Sequence, residues 1–266
     1  MRVLCVYRAE RFSPNSADRD KAIMDAVRTQ IEGRGCSVES FDEERLPADI
    51  DADVVLTMAR SREALDLLKA AGARGCTVVN SPEGIERCAR SMVDALMRKA
   101  GLPTAPPEGS DGYWIKRGDE AAQEPGDVVY AAGTAGRDAA IERFRRRGIT
   151  DIIVTAHVKG DLIKFYGVAG TDFFMTFYPG DGTYSKFGGE KINGRPRHYV
   201  FVADNLRRDV DRLAALTGVD VYGGDCIVRS DGTYAIIDFN DWPSFAACRR
   251  EAAAAIADMV ARRVKG

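Results

Sequence analysis

A chain of 266 residues, 45% hydrophobic and 29% charged, is long enough for two or three compact lobes around well-buried cores. Its net charge of −2 excludes a general pull towards nucleic acid or anionic membrane. No apolar run reaches the roughly 18 residues of a membrane span, and Arg8, Glu10 and Arg11 interrupt the N-terminal run before a signal-peptide core could form, so a cytoplasmic protein is expected.

In chain order, residues 2–7 (RVLCVY) read as a strand. Ser16, with Ile23, Val27 and Ile31 at helical spacing behind it, reads as the cap of a helix stopped by Gly33 and Gly35. Residues 37–41, 53–58 and 76–79 are further strands, and a helix starting at Ser61 with Leu65 and Leu68 inward ends at Gly72. This alternation predicts a parallel α/β lobe. The first strand runs into RAERFSPNS, which has no glycine, so a dinucleotide fingerprint is excluded there. Ser81-Pro82-Glu83 opens a helix expected to run to about Ala100, and residues 103–112 (PTAPPEGSDG) form the clearest linker. The six cysteines, Cys5, Cys36, Cys76, Cys88, Cys226 and Cys248, contain no CxxC pair, which argues for reduced and mostly buried thiols rather than zinc or a disulfide framework.

Beyond the linker, Trp114 and Lys116 share one face of a strand. A helix over 137–147 ends in Arg143, Arg145, Arg146 and Arg147, charges that suit a helix C-terminus. A strand over 152–155 leads into Ala156-His157-Val158, and two alternating runs then flank Gly170. Lys164, between Ile163 and Phe165, is a charge inside an apolar run and needs a polar cleft to face. Residues 186–198 gather Lys186, Lys191, Arg195, Arg197 and His198 among Gly188, Gly189 and Gly194, either a basic surface loop or one able to close over an anion. A helix over 205–217 follows.

Residues 220–245 (DVYGGDCIVRSDGTYAIIDFNDWPSF) hold the strongest local signal. β-Branched and aromatic residues flank Asp231-Gly232, the pair that suits a two-residue type I′ turn. With that turn, Ile227 faces Ile236 and Asp225 faces Asp238, with Asn240 on the same side; a three-residue turn would slip the register and part the aspartates. Facing carboxylates need solvent or a cation between them, and two carboxylates with an amide suit Mg²⁺. The alternative is a solvated strand end followed by turn formers Asp238, Asn240 and Asp241 before Pro243. Ser244 then caps a final alanine-rich helix to about Val264.

A strand with an aspartate, a DG turn, a strand ending in acid-any-Asn and a Pro-Ser step resembles the metal-binding end of ATP-grasp enzymes, and the exit ALMRKAGLPTAP resembles the passage from their first lobe to the nucleotide lobe. The resemblance implies an α/β fold (α+β in the nucleotide lobes) with a Rossmann-like pre-ATP-grasp lobe at 1–103, a central lobe at 104–158 and a C-terminal lobe at 159–266. It implies Asp225, Asp238 and Asn240 as ligands of one or two Mg²⁺ ions, replaceable by Mn²⁺. It implies ATP held by Lys116 on the phosphates and by the backbone of Ala156, His157 and Val158 at the adenine edge. The family's usual Asp-Lys pair is Ala89-Arg90 here, so Arg90 stands for the phosphate lysine, and the usual glycine-rich flap is reduced to Gly126, Gly133 and Gly136. The string GDLIKFYGV resembles the lysine-bearing strand of inositol-phosphate kinases, which adds Lys164 to Arg195 and Lys186 as cations for the reacting group. The implied activity is carboxylate–amine or carboxylate–thiol ligation through an acyl phosphate on a small anionic substrate. The alternatives are a small-molecule kinase and a nucleotide-binding module without catalysis. No nucleic-acid or membrane partner is expected, and a homodimer is left open.

Overall fold

The computed structural model describes residues 1–13, 16–119, 122, 124–181 and 192–265. Its first lobe is a parallel sheet of β1 (Arg2–Tyr7), β2 (Ser37–Asp42), β3 (Val54–Thr57) and β4 (Thr77–Val79) in the order β2-β1-β3-β4. β3 is buried along its whole length because helices cover both faces of the sheet, as parallel sheets require. Helix α1 (Ala17–Glu32) packs Ile23, Met24, Val27 and Ile31 onto one face, and α2 (Arg62–Ala73) packs Leu65 and Leu68 onto the other. Gly72 lies within α2 rather than ending it.

The helix expected from Ser81 to about Ala100 is two helices, α3 (Pro82–Arg87) and α4 (Arg90–Lys99). Ala89 between them is extended (φ −55°, ψ 136°), which breaks the ladder and makes Arg90 the first residue of α4. The central lobe is a three-stranded antiparallel sheet of β5 (Tyr113–Arg117), β6 (Val128–Ala131) and β7 (Ile152–Ala156), with β5 in the middle and α5 (Thr134–Arg146) on one face. The third lobe is an antiparallel sheet of β8 (Asp161–Val168), β9 (Phe174–Phe177), β10 (Val221–Val228) and β11 (Tyr234–Asp241), in the order β11-β10-β8-β9. Helix α6 (Ala203–Thr217) covers one face.

The last helix, α7 (Arg249–Lys265), begins after Ser244 rather than at it. Its Ala252, Ala253, Ile256 and Val260 share one core with Val3, Cys5 and α1 of the first lobe and with Tyr166 and Val168 of the third. Small alanines let this helix approach both, so it seals the first lobe against the third. All six cysteines are free thiols, three buried and three half-buried. No helix among the described residues is long and apolar enough to cross a membrane.

Asn80 ties the same two lobes at a second point. Its side chain is fully buried, accepts from the backbone amides of Asp220 and Val221 at 2.8 Å each, and donates to the Val221 carbonyl at 2.8 Å. Asn80→Ala removes the acceptor of the Asp220 and Val221 amides, while the Val221 carbonyl keeps the Trp242 amide at 2.9 Å, so a loss of about 2–3 kcal/mol in urea unfolding is expected. A loss under about 1 kcal/mol would show that the tie carries no stability.

Candidate active site

A cleft of about 850 Å³ runs between the three lobes, and it gathers most of the residues singled out from the sequence. Its floor is one row across three strands: Lys164 of β8 pairs with Asp225 of β10, which pairs with Asp238 of β11. Alternation places Leu162, Lys164 and Tyr166 on the cleft side, while Ile163 and Phe165 enter the core behind.

The two aspartates face each other by a route different from the one expected. The connection is three residues long, Ser230-Asp231-Gly232, closed by the Arg229 amide donating to the Thr233 carbonyl at 2.8 Å, with Gly232 at φ +81°. Ile227 therefore pairs with Ala235 and Cys226 with Ile236, one residue out of the expected register. A bulge at Ile237 then restores it, so that Asp225 pairs with Asp238. The bulge carbonyl of Ile237 accepts from Lys116 Nζ at 2.9 Å, which brings the β5 lysine over the hairpin. On β10 only glycine fits at 224, since a Cβ there would lie 2.1 Å from the Asp238 carbonyl oxygen.

Charge in the row is balanced by contact. Lys164 Nζ lies 2.6 Å from Asp225 Oδ1, and despite its burial this contact raises the lysine above its ordinary pKa. Arg90 Nε lies 3.6 Å from Asp238 Oδ1. Burial alone would raise the Asp238 carboxyl, but Arg90, then Lys116, the Asn240 hydrogen bond and Lys164 outweigh it and hold the group at about 2. Burial lowers Lys116. Asn240 donates through Nδ2 to Asp238 Oδ2 at 2.9 Å, a bond that uses its amide nitrogen and not its amide oxygen. No group of three or more His, Cys, Asp or Glu side chains placed to hold a metal ion exists among the described residues. The donor set is two carboxylates and one amide oxygen, and that hard, oxygen-only set fits Mg²⁺ completed by phosphate and water.

At the hinge, the Ala156 amide donates to Pro106 at 2.7 Å and the His157 amide to Gly112 at 2.8 Å, so neither is open to a base edge. The Val158 carbonyl accepts from Asn193 Nδ2 at 3.2 Å. His157 Nδ1 accepts from Trp114 Nε1 at 3.1 Å, and its burial lowers its pKa. Trp114, Val128, Val158, Leu162, Ile227 and Ile237 give the cleft an apolar slot here, with Val158 and Ile227 in one small core against which Leu162 and Ile237 pack. One of the predicted cations is not in the cleft wall. Arg195 is exposed and lies outside the lining, and Lys186 lies outside the described residues.

The other end of the cleft escaped the sequence reading. Arg8 follows β1 and Arg60 follows β3, both at the carboxyl ends of parallel strands, where α/β sheets bind ligands; that position was the available signal. Arg8 reaches Asp20 at 2.9 Å, Asp241 at 3.4 Å and the carbonyls of Met58 and Trp242 at 3.1 and 3.3 Å. Arg60 pairs with the second oxygen of Asp241. Buried Glu43 pins both loops, accepting from the amides of Ala9, Arg60 and Ser61 at 2.7, 2.6 and 3.0 Å.

Three lobes, a cleft between two antiparallel sheets and a metal-suited hairpin on its floor make up the ATP-grasp fold, and solved structures match it over the whole chain. D-Alanyl-alanine synthetase A from Vibrio cholerae superposes with a TM-score of 0.71 at 10% identity, covering 100% of this chain and 97% of its own. D-Alanine–D-alanine ligase from Bacillus anthracis gives 0.65 at 9% identity, covering 100% of both chains. The ATP-grasp ligase PsnB complexed with a minimal precursor gives 0.63 at 16% identity, covering 98% of both. No family model and no curated protein sequence matches the chain.

Proposed function

We propose that this protein is a Mg·ATP-dependent ligase that activates a carboxylate as an acyl phosphate and passes the acyl group to an amine. The observation that carries the reading is that every carboxylate lining the cleft among the described residues already faces a cation: Asp20 with Arg8, Asp225 with Lys164, Asp238 with Arg90, and Asp241 with Arg8 and Arg60. His157 Nδ1 is likewise engaged by Trp114. A kinase must take a proton from its acceptor hydroxyl, and no such base stands ready among the described residues. A carboxylate nucleophile needs none.

Asp225, Asp238 and the amide oxygen of Asn240 would hold Mg²⁺, which supplies charge neutralisation across the phosphates. Lys116 and Arg90 stand beside the same hairpin and would meet the phosphate tail, and Lys164 would meet developing charge on the transferred group. The apolar slot beside Val158 would take the base. The ligase neighbours on the same fold support this reading.

Two measurements test it. A non-hydrolysable ATP analogue at a hundred times its dissociation constant should stabilise the protein by about 2.7 kcal/mol with Mg²⁺, and far less when the metal is chelated. Turnover should release inorganic phosphate with an amide product. A phosphorylated acceptor without released phosphate would make the protein a kinase, and no stabilisation would remove the nucleotide from the account.

A further inference from the structure

Resting on the nucleotide-binding part of that reading, we propose that Asn193 reads the 6-amino group of the purine base and so selects ATP over GTP. Asn193 lies well beyond the hinge in sequence, yet it lines the cleft beside the apolar slot. Its Nδ2 donates to the Val158 carbonyl at 3.2 Å and to the Gly160 carbonyl at 3.1 Å. An amide nitrogen has two protons, and both are committed to those carbonyls. Two acceptors also fix which way the amide is turned, since its oxygen in that place would confront two carbonyl oxygens. Oδ1 is the end left over, and it accepts from no donor among the described residues.

The chain around Asn193 is fixed by further contacts. Asp161, 3% exposed, accepts from the amides of Arg197 and Tyr199 at 2.8 and 2.9 Å, which ties this segment to the start of β8. Gly160 stands at φ +155°, and a Cβ there would lie 2.2 Å from the Val228 carbonyl oxygen, so the turn that Asn193 grips is itself pressed against β10. Asn193 is thus held from the protein side by its nitrogen and keeps its oxygen for a ligand. The slot beside it offers a planar base the apolar surfaces of Val158, Leu162 and Ile227, while the Trp114 indole N–H is taken by His157. An acceptor at the edge of such a slot separates bases by the group it meets. A 6-amino group donates to it, whereas a 6-oxo group sets oxygen against oxygen and leaves both desolvated without a proton between them.

The test compares the β,γ-imido triphosphates of adenosine, purine riboside, inosine and 2′-deoxyadenosine, each titrated with Mg²⁺ into the full chain by calorimetry. Purine riboside lacks only the 6-amino group, inosine carries an oxygen in its place, and 2′-deoxyadenosine lacks only a ribose hydroxyl. The wild type should bind the adenosine compound about ten-fold more tightly than the purine riboside compound, the effect of one hydrogen bond to an acceptor otherwise left unpaired. The inosine compound should bind no better than purine riboside, and the 2′-deoxy compound should match adenosine.

In Asn193→Ala the adenosine-to-purine-riboside ratio should fall below about two. Loss of the two hinge bonds alone would weaken both compounds equally and leave the ratio near ten, so the ratio separates reading the base from a merely structural role. If Asn193→Ala does not fold, Asn193→Ser, whose side chain is also too short to span from the carbonyls to the slot, takes its place with the same expectation. An unchanged ratio in the variant would overturn the proposal, and a wild-type ratio under about two would do so without any variant. So would a wild type that loses ten-fold with the 2′-deoxy compound and nothing with purine riboside, since the amide oxygen would then serve the ribose. A protein that binds none of the four compounds fails earlier, at the nucleotide reading, and takes this proposal with it.

Discussion

Asp238→Asn is expected to abolish the stabilisation given by Mg²⁺ with an ATP analogue and to flatten the acid side of the stability curve. Asp238 sits at the end of the Lys164–Asp225–Asp238 row, with its side chain 21% exposed and Arg90 at 3.6 Å. Asparagine keeps the shape and the bond to Asn240 but removes the charge a metal would need. The wild-type gain of about 2.7 kcal/mol at a hundred times the dissociation constant should then fall close to zero. An undiminished gain in the variant would remove Asp238 from the metal site.

The acid behaviour follows from the same cations. The folded carboxyl titrates at about 2, below its ordinary 3.8. A group depressed in the folded state stabilises at pH values above its unfolded pKa and loses that stabilisation as pH falls towards the folded one. The window is therefore roughly pH 4 down to pH 2, and at about 1.4 kcal/mol per unit the amount is on the order of 2 kcal/mol. Urea unfolding at stepped pH should show that slope in the wild type and a reduced slope in Asp238→Asn. Equal slopes would mean that the cations around Asp238 do not act on it.

The hairpin half of the cleft was legible because its signals are local. Strand pairing by Ile227, Val228, Tyr234 and Ile236 around a DG turn depends on neighbours in the chain, and so does the linker before Trp114 and Lys116. Even there the facing of Asp225 and Asp238 arose from two irregularities that cancel, a three-residue turn and a bulge at Ile237. Counting residues from an ideal turn reaches the right pair without either step. The bulge is not idle, since it frees the carbonyl that Lys116 takes. The first-lobe half was not legible from local pattern. Arg8, Glu43, Arg60 and Asp241 come from four separate segments, and their meeting depends on how α7 and Asn80 dock the lobes. Asp241 in particular reads in sequence as a turn former before Pro243, yet its side chain is 1% exposed and bridges two arginines. Ala89 shows the same limit in the other direction. Nothing local separates a continuous helix from the extended residue that aims Arg90 at Asp238.

That bridge leads to the largest expected loss of stability. Asp241→Ala leaves Arg8, whose side chain is 6% exposed, with Asp20 as its remaining carboxylate, and leaves Arg60, 17% exposed, beside it. Burial and the neighbouring Arg60 already push Arg8 below the ordinary arginine value, and Asp20 and Asp241 are the charges that oppose this. Removing one partner of a buried ion pair costs about 3–5 kcal/mol, because the surviving charge stays desolvated. Urea unfolding at neutral pH should therefore show a loss in that range, and a loss under about 1 kcal/mol would mean that water reaches the arginines. A second substitution separates lost attraction from unmasked repulsion. In Asp241→Ala/Arg60→Gln the two arginines no longer confront each other, so the double variant should recover at least about 1 kcal/mol relative to the sum of the single losses. Strict additivity would instead place the whole cost in the desolvated Arg8 alone, and Arg60 would then be held at the cleft by Glu43 and its backbone rather than by Asp241.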